Sequence, residues 1–115
     1  MNKQEVRITT KIIRELSLFF MLHDYHEFTI DLKVLPEETV FTITIIDASE
    51  DFLMKMTEKI SRERELEVET YGWELLGDID SKSELEILGL LIDSIDIIKQ
   101  KNITIKLVRK NRYKK

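Results

Sequence analysis

Few residues of this chain are suited to chemistry, and the densest group of them lies in KIIRELSLFFMLHD, residues 11–24. Glu15 and His23 stand there on either side of Phe19 and Phe20. A carboxylate and an imidazole on one helix are the groups that general acid–base catalysis uses. The plainer reading is a surface helix glutamate and a half-buried histidine with its hydrogen bond satisfied, and the adjacent phenylalanines favour it. His26 follows His23 by three residues, a zinc-like spacing only if the helix persists that far; HEFTI reads as strand entry, which argues against a metal pair. Asp47 opens DASE, where a helix N-cap already explains it. With no cysteine, thiol catalysis, disulfides and thiolate metal sites are excluded. No Ser-His-Asp order, phosphate-binding Walker sequence, G-x-G-x-x-G or H-E-x-x-H occurs.

The elements that must position these groups are legible from periodicity. From Glu5 to about Tyr25, Ile12, Ile13, Leu16, Phe19, Phe20 and His23 recur on one broad helical face. EFTIDLKV alternates as a half-buried strand, LPEET turns the chain, and VFTITIID, β-branched and aromatic, pairs back as a hairpin. DASE, from Asp47 to Glu50, has the spacing of a capping box before the stripe Phe52, Leu53, Met56 and Ile60. SKSE, from Ser81 to Glu84, opens another helix through Leu85, Leu88 and Ile92. SIDIIK and ITIKLVRK, joined by QKN, form a last hairpin. Residues 61–80 are charged and weakly periodic, and read equally as a helix extension or as a loop with a short helix. The expected fold is α+β, a two-layer α/β sandwich of order αββααββ in a single domain spanning residues 1–115. Its far sheet face is expected to be solvated, with Val40 and Ile46 hinting at partial cover or a partner.

At 115 residues the chain has room for one core. A net charge of −4 argues against general nucleic-acid binding, and the basic VRKNRYKK reads as a solubilising tail that guards the last strand. No apolar run spans a bilayer and no secretory leader is recognisable, so a cytoplasmic protein without membrane attachment is expected.

GLLIDSIDIIKQKNITIKLVRK, residues 89–110, resembles the last helix and final hairpin of the ATP-binding domain of the GHKL superfamily, closest to the anti-sigma-factor serine kinases, whose pattern there is LxDxVxVxxxxGTTVxLVKR. Leu91, Asp93, Ile95, Ile97, Ile105, Leu107, Val108 and Arg109 fit it. ELSLFFMLH resembles the family's E-L-x-x-N-A-x-x-H, with Glu15, Leu16 and His23 in place, and DASED follows the second strand where the family has D-x-G-x-G. The resemblance implies ATP and Mg²⁺ as cofactors, Glu15 as general base and Asp47 as the reader of the adenine amino group. Phe19 stands where it implies the metal-binding asparagine, and no side-chain oxygen is available there for a hard cation. Ser49 and Asp51 replace glycines, Lys82 and Glu84 match those that open the phosphate loop, and Ile103 replaces a threonine. Asp47, in phase with Phe41, Ile43 and Ile45, is expected to point into the helix-covered face.

The expectation is a catalytic helix whose metal position has been filled, in a non-catalytic regulatory domain that binds another protein. By resemblance the partner is a sigma or anti-anti-sigma-like factor; an active ATP-dependent serine kinase and a structural homodimer are the alternatives. Candidate contact residues are Leu18 and Leu22, which with Met21 and Tyr25 give the first helix a second apolar face, and Trp73 in YGWELLG. A helix buried on both sides, and aromatics that seal the core beneath a loop, are the competing explanations.

Overall fold

The computed structural model describes residues 2–60 and 84–111; Trp73, Ser81, Lys82 and the weakly periodic stretch lie outside them. Helix α1 (Lys3–Leu22) starts where Asn2 Oδ1 accepts the Glu5 backbone N–H at 2.7 Å. It stops about one turn before the expected end, and His23 is its C-cap rather than a member of the buried stripe. Asp24 then takes φ 66°, Tyr25 N–H donates to Phe20 O at 2.9 Å and Asp24 N–H to Met21 O at 3.1 Å. This crossed pair closes the helix, and Tyr25 packs edge-on against Phe20, as such ends require. An aspartate pays a steric penalty in the left-handed region that glycine does not. Asp24→Gly is therefore expected to stabilise the protein by about 0.5–1 kcal/mol, read as a rise in the thermal midpoint; a fall would mean that the Asp24 side chain contributes more than its backbone costs.

The remaining described elements are strands β1 (Phe28–Val34) and β2 (Glu38–Ile45), helices α2 (Glu50–Ile60) and α3 (Glu84–Leu91), and strands β3 (Ser94–Lys99) and β4 (Ile103–Lys110). The sheet runs β1-β2-β4-β3, antiparallel at every pairing. The two hairpins meet along β2 and β4, where Phe41, Ile43 and Ile45 stand opposite Leu107, Ile105 and Ile103. All six are buried. Ile12, Leu16 and Phe20 of α1, Phe52, Met56 and Ile60 of α2, and Ile87 and Leu88 of α3 complete one core with them. Residues of the other face, such as Asp31, Thr42, Lys106 and Asp96, stand in register as a polar row across the four strands. Helices thus cover one face of a four-stranded antiparallel sheet, a mixed α+β arrangement.

The cover is uneven. Phe28 and Ile30 of β1 are half-buried, whereas Leu32, Val34 and the following Leu35 are 40%, 49% and 47% exposed. Val40, on the solvent-side face, is nonetheless buried, set between Lys33 and Val108 in register. Ile46 lies beyond the strand and is exposed.

A buried ion pair ties the layers. The inward row of β4 runs Ile103, Ile105, Leu107 and then Arg109, which is 1% exposed. Its Nε donates to Glu5 Oε2 at 3.1 Å, Nη2 to Glu5 Oε1 at 2.9 Å, and Nη1 to Leu91 O at 2.9 Å. The forked contact matches guanidinium to carboxylate geometry and binds the start of α1 and the end of α3 to the sheet.

Candidate functional site

The residues that could do chemistry gather around the C-terminal half of α1, the β1 entry and the start of α2. Phe19, 3% exposed, stacks on Phe52 with ring centroids 4.9 Å apart and planes 18° from parallel. Phe52 is the hub of this cluster, also meeting Phe20 at 5.3 Å, Tyr25 at 4.5 Å and His23 at 5.5 Å. Offset and tilted ring contacts of this kind add roughly 0.5–1.5 kcal/mol each beyond the area they bury. The position that resembles a metal-ligating asparagine is thus a core position, filled by an aromatic ring.

Glu15 is not the surface glutamate of the plainer reading. It is 3% exposed, and its Oε1 lies 3.0 Å from Lys11 Nζ and 3.7 Å from Arg14 Nη1. Burial of a carboxylate is tolerated because its neighbours on the same helix supply cations. His23 is exposed at the helix end; its Nδ1 lies 2.8 Å from Phe19 O and its ring 4.6 Å from Phe19. His26 lies 3.9 Å from Asp24 Oδ1 across solvent. Among the described residues no group of three or more histidines and carboxylates is arranged to hold a metal ion.

Asp47 departs from its expected orientation. Strand β2 ends at Ile45, two residues early, so its alternation does not reach Asp47, whose side chain is exposed. Nor is Asp47 the N-cap of α2. Ser49 is: its Oγ accepts the Phe52 N–H at 3.1 Å and its carbonyl the Leu53 N–H. Asp47 Oδ1 instead accepts the adjacent Ala48 N–H at 2.9 Å. The hydroxyl of Tyr25 accepts the Ser49 N–H at 3.0 Å. The backbone donors at Ala48, Ser49, Phe52 and Leu53 are all engaged by this chain's own oxygens, and Glu50 and Asp51 add negative charge to the first turn. An anion finds neither free donors among these four nor a favourable field there. Glu50 in turn pairs with Lys99 of β3.

Beside this turn lies an open hollow of about 350 Å³ lined by Asp24, Tyr25, His26, Glu27, Ile46 and Asp47. Its three carboxylates make it a poor berth for a triphosphate. At the positions that the resemblance would assign to the Mg²⁺ ligand, the base and the adenine reader stand a buried aromatic ring, an ion-paired carboxylate and an exposed aspartate, a set that supplies no oxygen ligand at the first of them.

Leu22 and Met21 are 65% and 53% exposed and Leu18 half-buried, which places an apolar strip on the outward side of α1; Tyr25 belongs to the core cluster instead. The C-terminal segment on which the resemblance rests most has structural duties. Asp93 donates its N–H to Val108 O at 2.8 Å and accepts the Lys110 N–H at 2.7 Å, and Arg109 holds Glu5. Contacts without a counterpart in the sequence analysis include the Tyr25 hydroxyl on Ser49 and the Glu5–Arg109 pair. The Glu5–Arg109 pair has a signal, since a charge in phase with a buried strand row demands a partner.

Comparison with family models, curated proteins and solved structures returns no match. What the fold and site define is a class only, a helix layer on an antiparallel four-stranded sheet. Among the described residues no helix is long and apolar enough to cross a membrane.

Proposed function

We propose that this chain is a non-catalytic regulatory domain, GHKL-like in descent, that acts by binding another protein in the cytoplasm. The observation that supports it most is the stacking of Phe19 on Phe52 at the position where a metal ligand would stand. The ion-paired Glu15 and the self-capped start of α2 argue the same way. A domain whose site is filled still offers its surface, and the strip of Leu18, Met21 and Leu22 has the aliphatic character of an interface core, flanked along the chain by the exposed Arg14 and Asp24, charges that set partner choice more than affinity. A sigma or anti-anti-sigma-like factor is the partner class that the resemblance implies.

Calorimetric titration with Mg·ATP tests the reading. Each lost charge-assisted contact removes about 1.5–3 kcal/mol, so no heat of binding is expected at micromolar nucleotide. A low-micromolar dissociation constant would overturn the proposal in favour of an active kinase with Glu15 as base and Asp47 as adenine reader. The partner surface has its own check. Leu22→Asp is expected to leave the thermal midpoint nearly unchanged, because the side chain is already in water, while weakening binding of a purified candidate factor at least tenfold.

A further inference from the structure

Strand β1 is an edge of the described sheet, and its open side is organised in a way that specifies a partner. Across the first hairpin the Leu35 N–H donates to Glu38 O at 2.8 Å. Backbone polar groups alternate along a strand, so Thr29, Asp31 and Lys33 direct theirs toward β2, while Phe28, Ile30, Leu32 and Val34 direct theirs to the open edge. The same residues carry the incompletely covered apolar row, with Leu32 and Val34 exposed. Edge strands are commonly protected by a charge. Here the two charges are of opposite sign and stand two residues apart, Asp31 and Lys33, both exposed on the polar face. Such a pair is its own complement under a two-fold axis.

We propose that two copies of this chain associate through β1, antiparallel about Leu32, so that the sheet continues from one copy into the other. In this register Leu32 meets Leu32 of the second copy on the axis, and Ile30 meets Val34 twice. Ile30, Leu32 and Val34 each exchange both backbone hydrogen bonds with their counterparts. Asp31 stands opposite Lys33 of the second copy, and Lys33 opposite its Asp31, at the closer, non-hydrogen-bonded positions where side-chain pairs interact most. Moving the axis to Asp31 would set two aspartates face to face. Moving it to Ile30 would set Lys33 opposite Glu27, but Glu27 and the His26 that Val34 would then face lie before the strand begins, and Asp31 would stand opposite a threonine. The other edge, β3, is a poorer candidate: Ile95 and Ile97 are half-buried against the core and Lys99 is engaged with Glu50. This interface lies on the sheet edge, apart from the α1 strip assigned above to a different protein.

Sedimentation velocity over a dilution series at low salt, with circular dichroism to confirm folding, tests the proposal. The native chain is expected to pass from monomer to dimer with rising concentration. Asp31→Lys, which sets lysine against lysine at both charge pairs of the interface, is expected to weaken the dimer at least tenfold, and the double variant Asp31→Lys, Lys33→Asp to restore it to within a few-fold. Because the chain has no cysteine, Leu32→Cys reports on the axis alone. Mild oxidation should convert it to a covalent dimer while Ile30→Cys and Asp31→Cys stay uncrosslinked, and this arm stands even if a charge variant fails to fold. Leu22→Asp should leave the dimer intact. A native chain that stays monomeric throughout, a dimer indifferent to Asp31→Lys, or crosslinking at residue 30 or 31 in place of 32 would each overturn it.

Discussion

Replacing Arg109 with leucine is expected to cost about 3–5 kcal/mol of stability, because it strands the Glu5 carboxylate in a site made for a guanidinium. Glu5 is 8% exposed and Arg109 1%, so water cannot take the place of the lost partner without opening the contact between α1 and β4. The Leu91 carbonyl, which accepts from Nη1, loses its donor as well, and the end of α3 loosens. Against a total of roughly 5–15 kcal/mol for a domain of this size, the variant should melt well below the native chain and unfold in part at physiological temperature. Arg109→Lys should recover only part of the loss, since an ammonium cannot span Oε1, Oε2 and the carbonyl together. The double variant Glu5→Leu, Arg109→Met should recover most of the loss but not the Leu91 contact, because burying a charge pair costs much of what its attraction returns while the carbonyl still lacks this donor. Chemical denaturation of the four proteins decides it. A loss below about 1 kcal/mol for Arg109→Leu would mean that the pair behaves as a solvent-exposed contact despite its burial.

The same pair marks the boundary of what the sequence conveys. Strands β3 and β4 have the ends that alternation predicts, Ser94–Lys99 and Ile103–Lys110, because residues of alternating character leave a hairpin little freedom of register. The α2 stripe of Phe52, Leu53, Met56 and Ile60 is buried as its spacing requires. Helix ends and caps are less legible. The capping-box spacing of DASE points to Asp47 as the cap, but Ser49 takes it, and Asp47 turns to its own neighbour, Ala48. Glu5 and Arg109 are 104 positions apart, and no local pattern joins them.

The candidate site divides in the same way. That Phe19 fills a position suited to a ligand is legible, since residue type alone decides what can bind a hard cation. That Phe52 stacks on it is not, because α2 and α1 meet only in the tertiary fold. Glu15 reads from sequence as a surface residue and is not one: Lys11, one turn earlier, supplies the cation that permits its burial, and helical spacing hides a carboxylate as readily as it exposes one. Asp47 is misplaced by the sequence because extending the alternation of β2 by two residues carries it to the wrong face.

Phe19→Asn restores the residue type that the resemblance places at the metal position, and it is expected to damage the fold without creating a nucleotide site. The ring lost is 3% exposed and lies between Phe52, Phe20 and His23, so its removal costs about 3–5 kcal/mol, as for other buried aromatic truncations. The incoming amide adds to this, since a buried polar group left unsatisfied costs about 1–3 kcal/mol more. Phe19→Leu, which keeps apolar volume and adds no polar atom, should lose distinctly less, and the difference between the two isolates the penalty of polarity from that of volume. Thermal melts with and without Mg·ATP then separate fold from site. A ligand bound only by the folded state raises the midpoint in proportion to the logarithm of its saturation. No rise is expected for Phe19→Asn, because Ser49 and Asp51 still stand where the resemblance has glycines and Glu15 stays tied to Lys11. An asparagine variant that melts near the native chain and gains stability from Mg·ATP would show that a single ring is all that separates this domain from a nucleotide-binding one, and would return Glu15 to its reading as base and Asp47 to its reading as adenine reader.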